Sequence, residues 1–234
     1  MYPVTTETTD HPGGYRGALE DFYAGAAEEL AEHLTAGRNG ALLAEGDPMF
    51  YSSYMHMHKR LRDRFECVVV PGVTSVSAAA AATGVPLVEA DEVLTVLPGT
   101  LPESELRRRL ADTDAAAIMK LGRTFPTVRG ALQRADRDGA AWYVERASRA
   151  DERVLSVGDV SAEDVPYFAT VLVPGRINAP TPAAAERGEV VVVGLGPGDE
   201  AWTTPEVRHE LSEATDIVGY QTYTDRVRPR PGQR

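Results

Sequence analysis

Cysteine occurs once in the 234 residues, at Cys67, so an internal disulfide and a cysteine zinc cluster are both excluded. A reducing, cytoplasmic setting fits that usage. Long apolar runs are also missing: Met1 to Glu20 is polar and acidic with no signal-peptide core, and later runs fall far short of the about 20 residues that span a bilayer. Basic charge is in deficit, with a formal net charge of −11, which argues against nucleic-acid partners because phosphate contacts need a basic face. Any anionic ligand must be met by local arginines. What is present is ordinary globular material, 43% hydrophobic and 25% charged, enough for a real core. The length suits one large or two modest domains, at roughly 100–200 residues each.

Between Tyr15 and Ala36 the apolar residues Leu19, Phe22, Tyr23, Ala26, Ala27, Leu30 and Leu34 recur at steps of three and four, and Gly37 follows. This spacing predicts an amphipathic helix with a glycine stop. Short buried strands are expected at Ala41–Ala44 and Cys67–Val70, with a helix over Tyr51–Arg62 between them. A small-residue helix, Ser75–Thr83, follows. Further strands are expected at Val93–Leu97, Ala115–Met119, Trp142–Glu145, Arg153–Val157 and Phe168–Val173, with helices at Pro102–Leu110 and near Val128–Ala135. Alternating strands and helices predict an α/β architecture with largely parallel sheets. Residues 177–188 are rich in proline and alanine and read as a linker. Beyond them the pattern restarts, with a strand at Glu189–Val193, a glycine loop, and a helix at Thr203–Ala214 opened by a Thr203/Glu206 capping box. Ile217–Val218 is a candidate for the next strand.

Two strand-to-helix turns stand out. Glu45-Gly46-Asp47-Pro48-Met49-Phe50 follows the first expected strand, at the carboxyl end where open α/β sheets place ligands. Asp47 there can accept from a ribose hydroxyl or cap the following helix. Pro71-Gly72-Val73-Thr74-Ser75 follows the second, and Thr74 and Ser75 can cap a helix or face a ligand beside its free amides. Turns after consecutive strands should adjoin and form a cleft. Lys120, Arg123 and Arg146, with Glu145, close two later strands and are expected on one rim, where cations suit a polycarboxylate through charge-assisted bonds. The loop Gly194-Leu195-Gly196-Pro197-Gly198 has GxGxG spacing and a proline that lacks an amide donor, so it gives a nicotinamide dinucleotide little support. His56 and His58 are two apart on a helix, point to different faces and predict no metal.

Taken together, AEGDPMFYSSYMHMHKRL, VVPGVTSVSAAAAATGVPLVEADEVLTVLPGTLP, IMKLGRTFP, WYVERAS and FATVLVPGR resemble the tetrapyrrole methylase family, and within it the precorrin-2 C20-methyltransferases. The tail EVVVVGLGPGDEAWTTPEVRHELSEATDIVGYQTYTDRV is similar to the opening of the precorrin-3B C17-methyltransferases, so the chain reads as a window across a fusion of the two. The family opens on a strand and a GxGPGD loop that the C20-like portion lacks, so that portion is expected to be N-terminally truncated. The resemblance implies two α/β domains with the cofactor cleft between them, over residues 1–92 and 93–176, then the linker and a second methyltransferase-like start at 189–234. It implies S-adenosylmethionine held by Glu45, Gly46, Asp47, Phe50, Thr74, Ser75, Met119 and Ala147. The implied substrate is a tetrapyrrole polycarboxylate, precorrin-2 or its cobalt form, contacted by Lys120, Arg123 and Arg146, and the implied assembly is a homodimer. A non-catalytic fragment is the competing expectation. Methyl transfer from a sulfonium needs mainly alignment, and Glu145 is the nearest candidate base by position.

Overall fold

The computed structural model describes residues 10–175, 189–230 and 232–234. The expected linker at 177–188 lies outside them. Two compact units divide between residues 180 and 181.

In the first unit, helix α1 (Gly14–Thr35) buries Tyr23, Ala27 and Ala31, a stripe at four-residue steps, against Met57 and Leu61 of helix α2 (Tyr54–Leu61). Gly37 ends α1 in the left-handed conformation, φ 76°, its amide donating to the Leu34 carbonyl at 2.9 Å. Helix α2 starts three residues later than its sequence predicts because Tyr51 has φ 54° and breaks the helical path. Helix α3 (Ser75–Thr83) matches expectation: Thr74 Oγ1 accepts from the Ser77 amide at 3.3 Å and Gly84 closes it at φ 64°.

A five-stranded sheet follows, with β1 (Leu94–Pro98), β2 (Ala115–Met119), β3 (Trp142–Glu145), β4 (Arg153–Ser156) and β5 (Ala169–Val173) in the order β1-β2-β5-β3-β4. Only β1 and β2 run parallel; the β2/β5, β5/β3 and β3/β4 pairs are antiparallel, so the expectation of a largely parallel sheet is corrected. The reason lies in chain length. Seven residues, 146–152, join β3 to β4, whereas a parallel crossover needs about a dozen or more. Side chains alternate across β2. Ala116 and Ile118 enter the core with Leu106 and Leu110 of helix α4 (Glu103–Ala111) and Val128 and Leu132 of helix α5 (Phe125–Arg134), while Ala117 packs with Val76 and Ala79 of α3. Each fully buried leucine there contributes about 1.5–3 kcal/mol. The alanines of β2 and α3 let helix and sheet approach closely.

The buried strands expected at Ala41–Ala44 and Cys67–Val70 are not strands. Both segments lie outside every ladder, with Leu43 94% and Val68 80% exposed. A strand needs a hydrogen-bonded neighbour, and the described sheet supplies none beside them. Cys67 packs partly buried against the α1/α2 core.

In the second unit, the run expected as a strand at Glu189–Val193 and the candidate at Ile217–Val218 are likewise outside any ladder, leaving Val190, Val192 and Val218 exposed. Helix α6 (Pro205–Glu213) is capped by Thr204, whose Oγ1 accepts from the Val207 amide at 3.3 Å, not by Thr203. Pro205 takes the first helical position and so moves the cap to the residue before it.

Candidate active site

The strand ends at Met119 and Glu145 and the start of β5 share one end of the sheet, because β5 runs antiparallel to both β2 and β3. Against that end stand the turn at 45–52 and the first turn of α3. Between them lies a cleft of about 540 Å³. Its lining includes all eight residues that the resemblance assigns to the cofactor: Glu45, Gly46, Asp47, Phe50, Thr74, Ser75, Met119 and Ala147.

The two turns are stapled together. Asp47 Oδ2 accepts from the Gly72 amide at 2.9 Å and its Oδ1 from the Met49 amide at 2.8 Å. Gly46 has φ 76°, and a Cβ placed on Gly72 would sit 2.0 Å from the Gly46 carbonyl oxygen, so only glycine fits at position 72. Asp47 thus fixes the turn, and its carboxylate, with about four lone-pair directions, retains capacity for a ligand hydroxyl. Thr74 is similarly engaged, capping α3 while lining the cleft. A volume of this size, small residues at Gly46, Ala78, Ala79 and Ala147, and hydroxyl and amide donors at Thr74 and Ser75 fit an adenosyl amino acid.

Cations stand along the sheet end of the cleft. Lys120 and Arg146 line the cleft, as does Arg149, which the sequence reading passed over. Lys120 Nζ lies 5.0 Å from the centroid of the Tyr51 ring. Arg123, expected beside them, lies on the 3-10 turn Gly122–Thr124 and is not among the lining residues. Six non-glycine residues among those described have positive φ, and Tyr51, Lys120, Arg146 and Ser148 of that set line the cleft. Each left-handed conformation costs about 1–2 kcal/mol for an L-residue, so backbone strain is concentrated at this cleft.

Glu145 does not line it. The residue is 1% exposed, and its carboxylate accepts from Tyr143 Oη at 2.5 Å and sits 3.2 Å from Arg153 Nη1 and 3.4 Å from Arg146 Nη1. Burial first, then the bond to Glu145, pushes the Tyr143 phenol well above its ordinary value of 10.0. Asp151 Oδ2 lies at the same 3.4 Å from Arg146 Nη1, so two carboxylates flank this guanidinium. His56 stacks on Tyr23, with ring centroids 4.5 Å apart, and His58 Nδ1 lies 3.1 Å from Tyr54 Oη. No helix among the described residues is long and apolar enough to cross a membrane.

The second unit holds its own cleft, about 370 Å³, lined by the glycine loop. Arg226 Nη2 donates to the Leu195 carbonyl at 2.7 Å and Nη1 to that of Gly196 at 3.2 Å, clamping the loop.

Residues 3–161 match the family profile of the tetrapyrrole (corrin/porphyrin) methylases, and the chain belongs to that family. It is 61% identical over 234 residues to the cobalamin biosynthesis protein CobIJ of Mycobacterium tuberculosis, covering 100% of this chain and 45% of that protein. The chain therefore spans about half the length of these mycobacterial relatives. The precorrin-2 C(20)-methyltransferase of a Sinorhizobium species is 49% identical over 179 residues, which cover 76% of this chain and 73% of the relative. Among solved structures, a cobalt precorrin-4 methyltransferase aligns at 24% identity with a TM-score of 0.54, covering 64% of this chain and 69% of the other; the fold is shared.

Proposed function

We propose that the first unit binds S-adenosylmethionine and transfers its methyl group to C20 of precorrin-2, giving precorrin-3A in corrin synthesis. The observation that carries the reading is the stapled pair of turns, which brings Gly46, Asp47, Thr74 and Ser75 into one cleft with Met119 and Ala147. The Sinorhizobium relative named for this reaction supports the choice of ring position.

The bound sulfonium would supply an already activated methyl group, so the chain's own task is alignment and charge matching. Thr74, Ser75 and the first amides of α3 would meet the amino-acid or ribose hydroxyl groups, and the small residues Gly46, Ala78 and Ala147 would admit the adenosyl moiety against backbone. Lys120 and Arg146 would take substrate carboxylates, with Arg149 added to the set and Arg123 acting from beside the cleft. Glu145, fully engaged with Tyr143 and two arginines, serves as a positioning residue for Arg146 in this reading and not as the base. The halves at 1–92 and 93–176 are proposed as the walls of the site, and residues 189–234 as the start of a second methyltransferase-like domain. A cytoplasmic homodimer acting on a small molecule, without nucleic-acid or membrane partners, completes the proposal; the net charge of −11 supports the absence of nucleic acid.

Incubation with S-adenosylmethionine and precorrin-2, with and without cobalt, tests this by mass spectrometry. One added methyl at C20 is the expected product, and the more reactive form identifies the substrate. A second reading, a chain that folds without turning over, is favoured by the unladdered Ala41–Ala44 and Cys67–Val70. No product from either substrate would select it.

A further inference from the structure

Tyr167 and Phe168 precede β5 with their rings edge to face, centroids 5.4 Å apart at 80°. They are 64% and 61% exposed and belong to none of the buried clusters, yet both line the cleft. Two large aromatics left exposed immediately before a strand contribute little to folding and mark a binding surface. Their backbone is fixed: the Arg146 amide donates to the Phe168 carbonyl at 3.1 Å, and the adjacent residues Glu145 and Ala169 pair in the β3/β5 ladder. The backbone that carries the rings is therefore tied to that of Arg146, and Arg146, Arg149 and Lys120 share the cleft lining with them.

The occupant follows from shape and charge. Adenosylmethionine, with a sulfonium and an ammonium against one carboxylate, is assigned above to the wall at Gly46, Asp47, Thr74 and Ser75, whereas Lys120, Arg146 and Arg149 on the shared lining suit an anion. A flat macrocycle edged with carboxylates satisfies both features. We propose that Tyr167 and Phe168 form an aromatic platform on which the face of the tetrapyrrole packs while Arg146, Arg149 and Lys120 engage its carboxylates. The proposal rests on the methyltransferase reading above and deepens it.

The test uses uroporphyrin, a stable planar octacarboxylate, followed by fluorescence anisotropy, alongside calorimetry with S-adenosylhomocysteine, on the full chain and on Y167S/F168S. The expected result is a Kd for uroporphyrin weakened about ten- to a hundredfold in the double variant, with S-adenosylhomocysteine affinity unchanged. The conservative exchange Y167F/F168Y should restore porphyrin binding to within about twofold. Uroporphyrin binding that survives Y167S/F168S, or is absent from the unaltered chain, overturns the platform. So does a parallel loss of S-adenosylhomocysteine binding, which would assign the rings to the adenosyl group. An unaltered chain that binds no S-adenosylhomocysteine contradicts the methyltransferase reading instead, and porphyrin binding lost with the rings would still support the platform.

Discussion

The carboxylate of Asp47 accepts the backbone amide of Gly72 at 2.9 Å, a single bond that joins two turns 25 residues apart and closes one wall of the cleft. Neither turn has a sheet ladder beneath it. The registration of the wall therefore depends on this contact and on the absence of a side chain at position 72.

Gly72→Ala should accordingly do more than an average surface change. A Cβ 2.0 Å from the Gly46 oxygen forces the turns apart. Asp47→Ala should act at the same place by a gentler route, losing two amide bonds to a charged acceptor, about 1.5–3 kcal/mol each at most and less where solvent replaces them. Both variants should keep the β-sheet signature in circular dichroism and lose cofactor affinity by more than tenfold, on the scale where each 1.4 kcal/mol is a factor of ten. Retained affinity in Gly72→Ala would show that the turns need not adjoin.

The strained lysine at the strand end offers a comparison of two replacements. Lys120 has φ 60°, so Lys120→Gly should be more stable in urea titration than Lys120→Ala by about 1 kcal/mol, reversing the usual order for a strand end. Both should raise KM for the polycarboxylate, because both remove the cation. Equal stabilities would mean that the strain is relieved elsewhere.

The buried phenol gives a pH dependence with a definite sign. Tyr143 is an acid whose pKa in the folded chain is raised above its unfolded value of 10.0, through burial and the bond to Glu145. Folding therefore favours the protonated form, and this stabilisation is fully present below pH 10.0 and declines as pH rises above it. Tyr143→Phe should be less stable than the unaltered chain at neutral pH, by about 1.5–3 kcal/mol for a hydrogen bond to a charged group. The difference should shrink in melting curves taken at increasing pH above that value. A constant gap would contradict the assignment.

Much of the sheet region was legible because its signals are local. The run Ala115–Met119 and the Thr74 cap each act within a few residues, and β2, β3 and α3 begin and end where their residues predict. Ala41–Ala44 and Cys67–Val70 misled because an apolar run states a preference for burial but not the presence of a neighbouring strand. The antiparallel pairing of β3 and β4 could have been inferred from the short 146–152 connection, which outweighs the α/β rhythm. In the site, the turns announced themselves through glycine and proline. Arg149, Tyr167 and Phe168 did not, since their place on the cleft depends on β5 lying between β2 and β3, a pairing absent from local pattern. The surroundings of Glu145 were not legible either, because strand alternation does not say that Tyr143, Arg146 and Arg153 contact its carboxylate.

Calorimetric titration of S-adenosylhomocysteine into the unaltered chain and into Gly72→Ala bears most directly on the stapled cleft. A saturable heat with one site per chain, its affinity weakened more than tenfold by the added methyl, is the predicted result. No heat from the unaltered chain at millimolar ligand, or the same isotherm from both proteins, would contradict it.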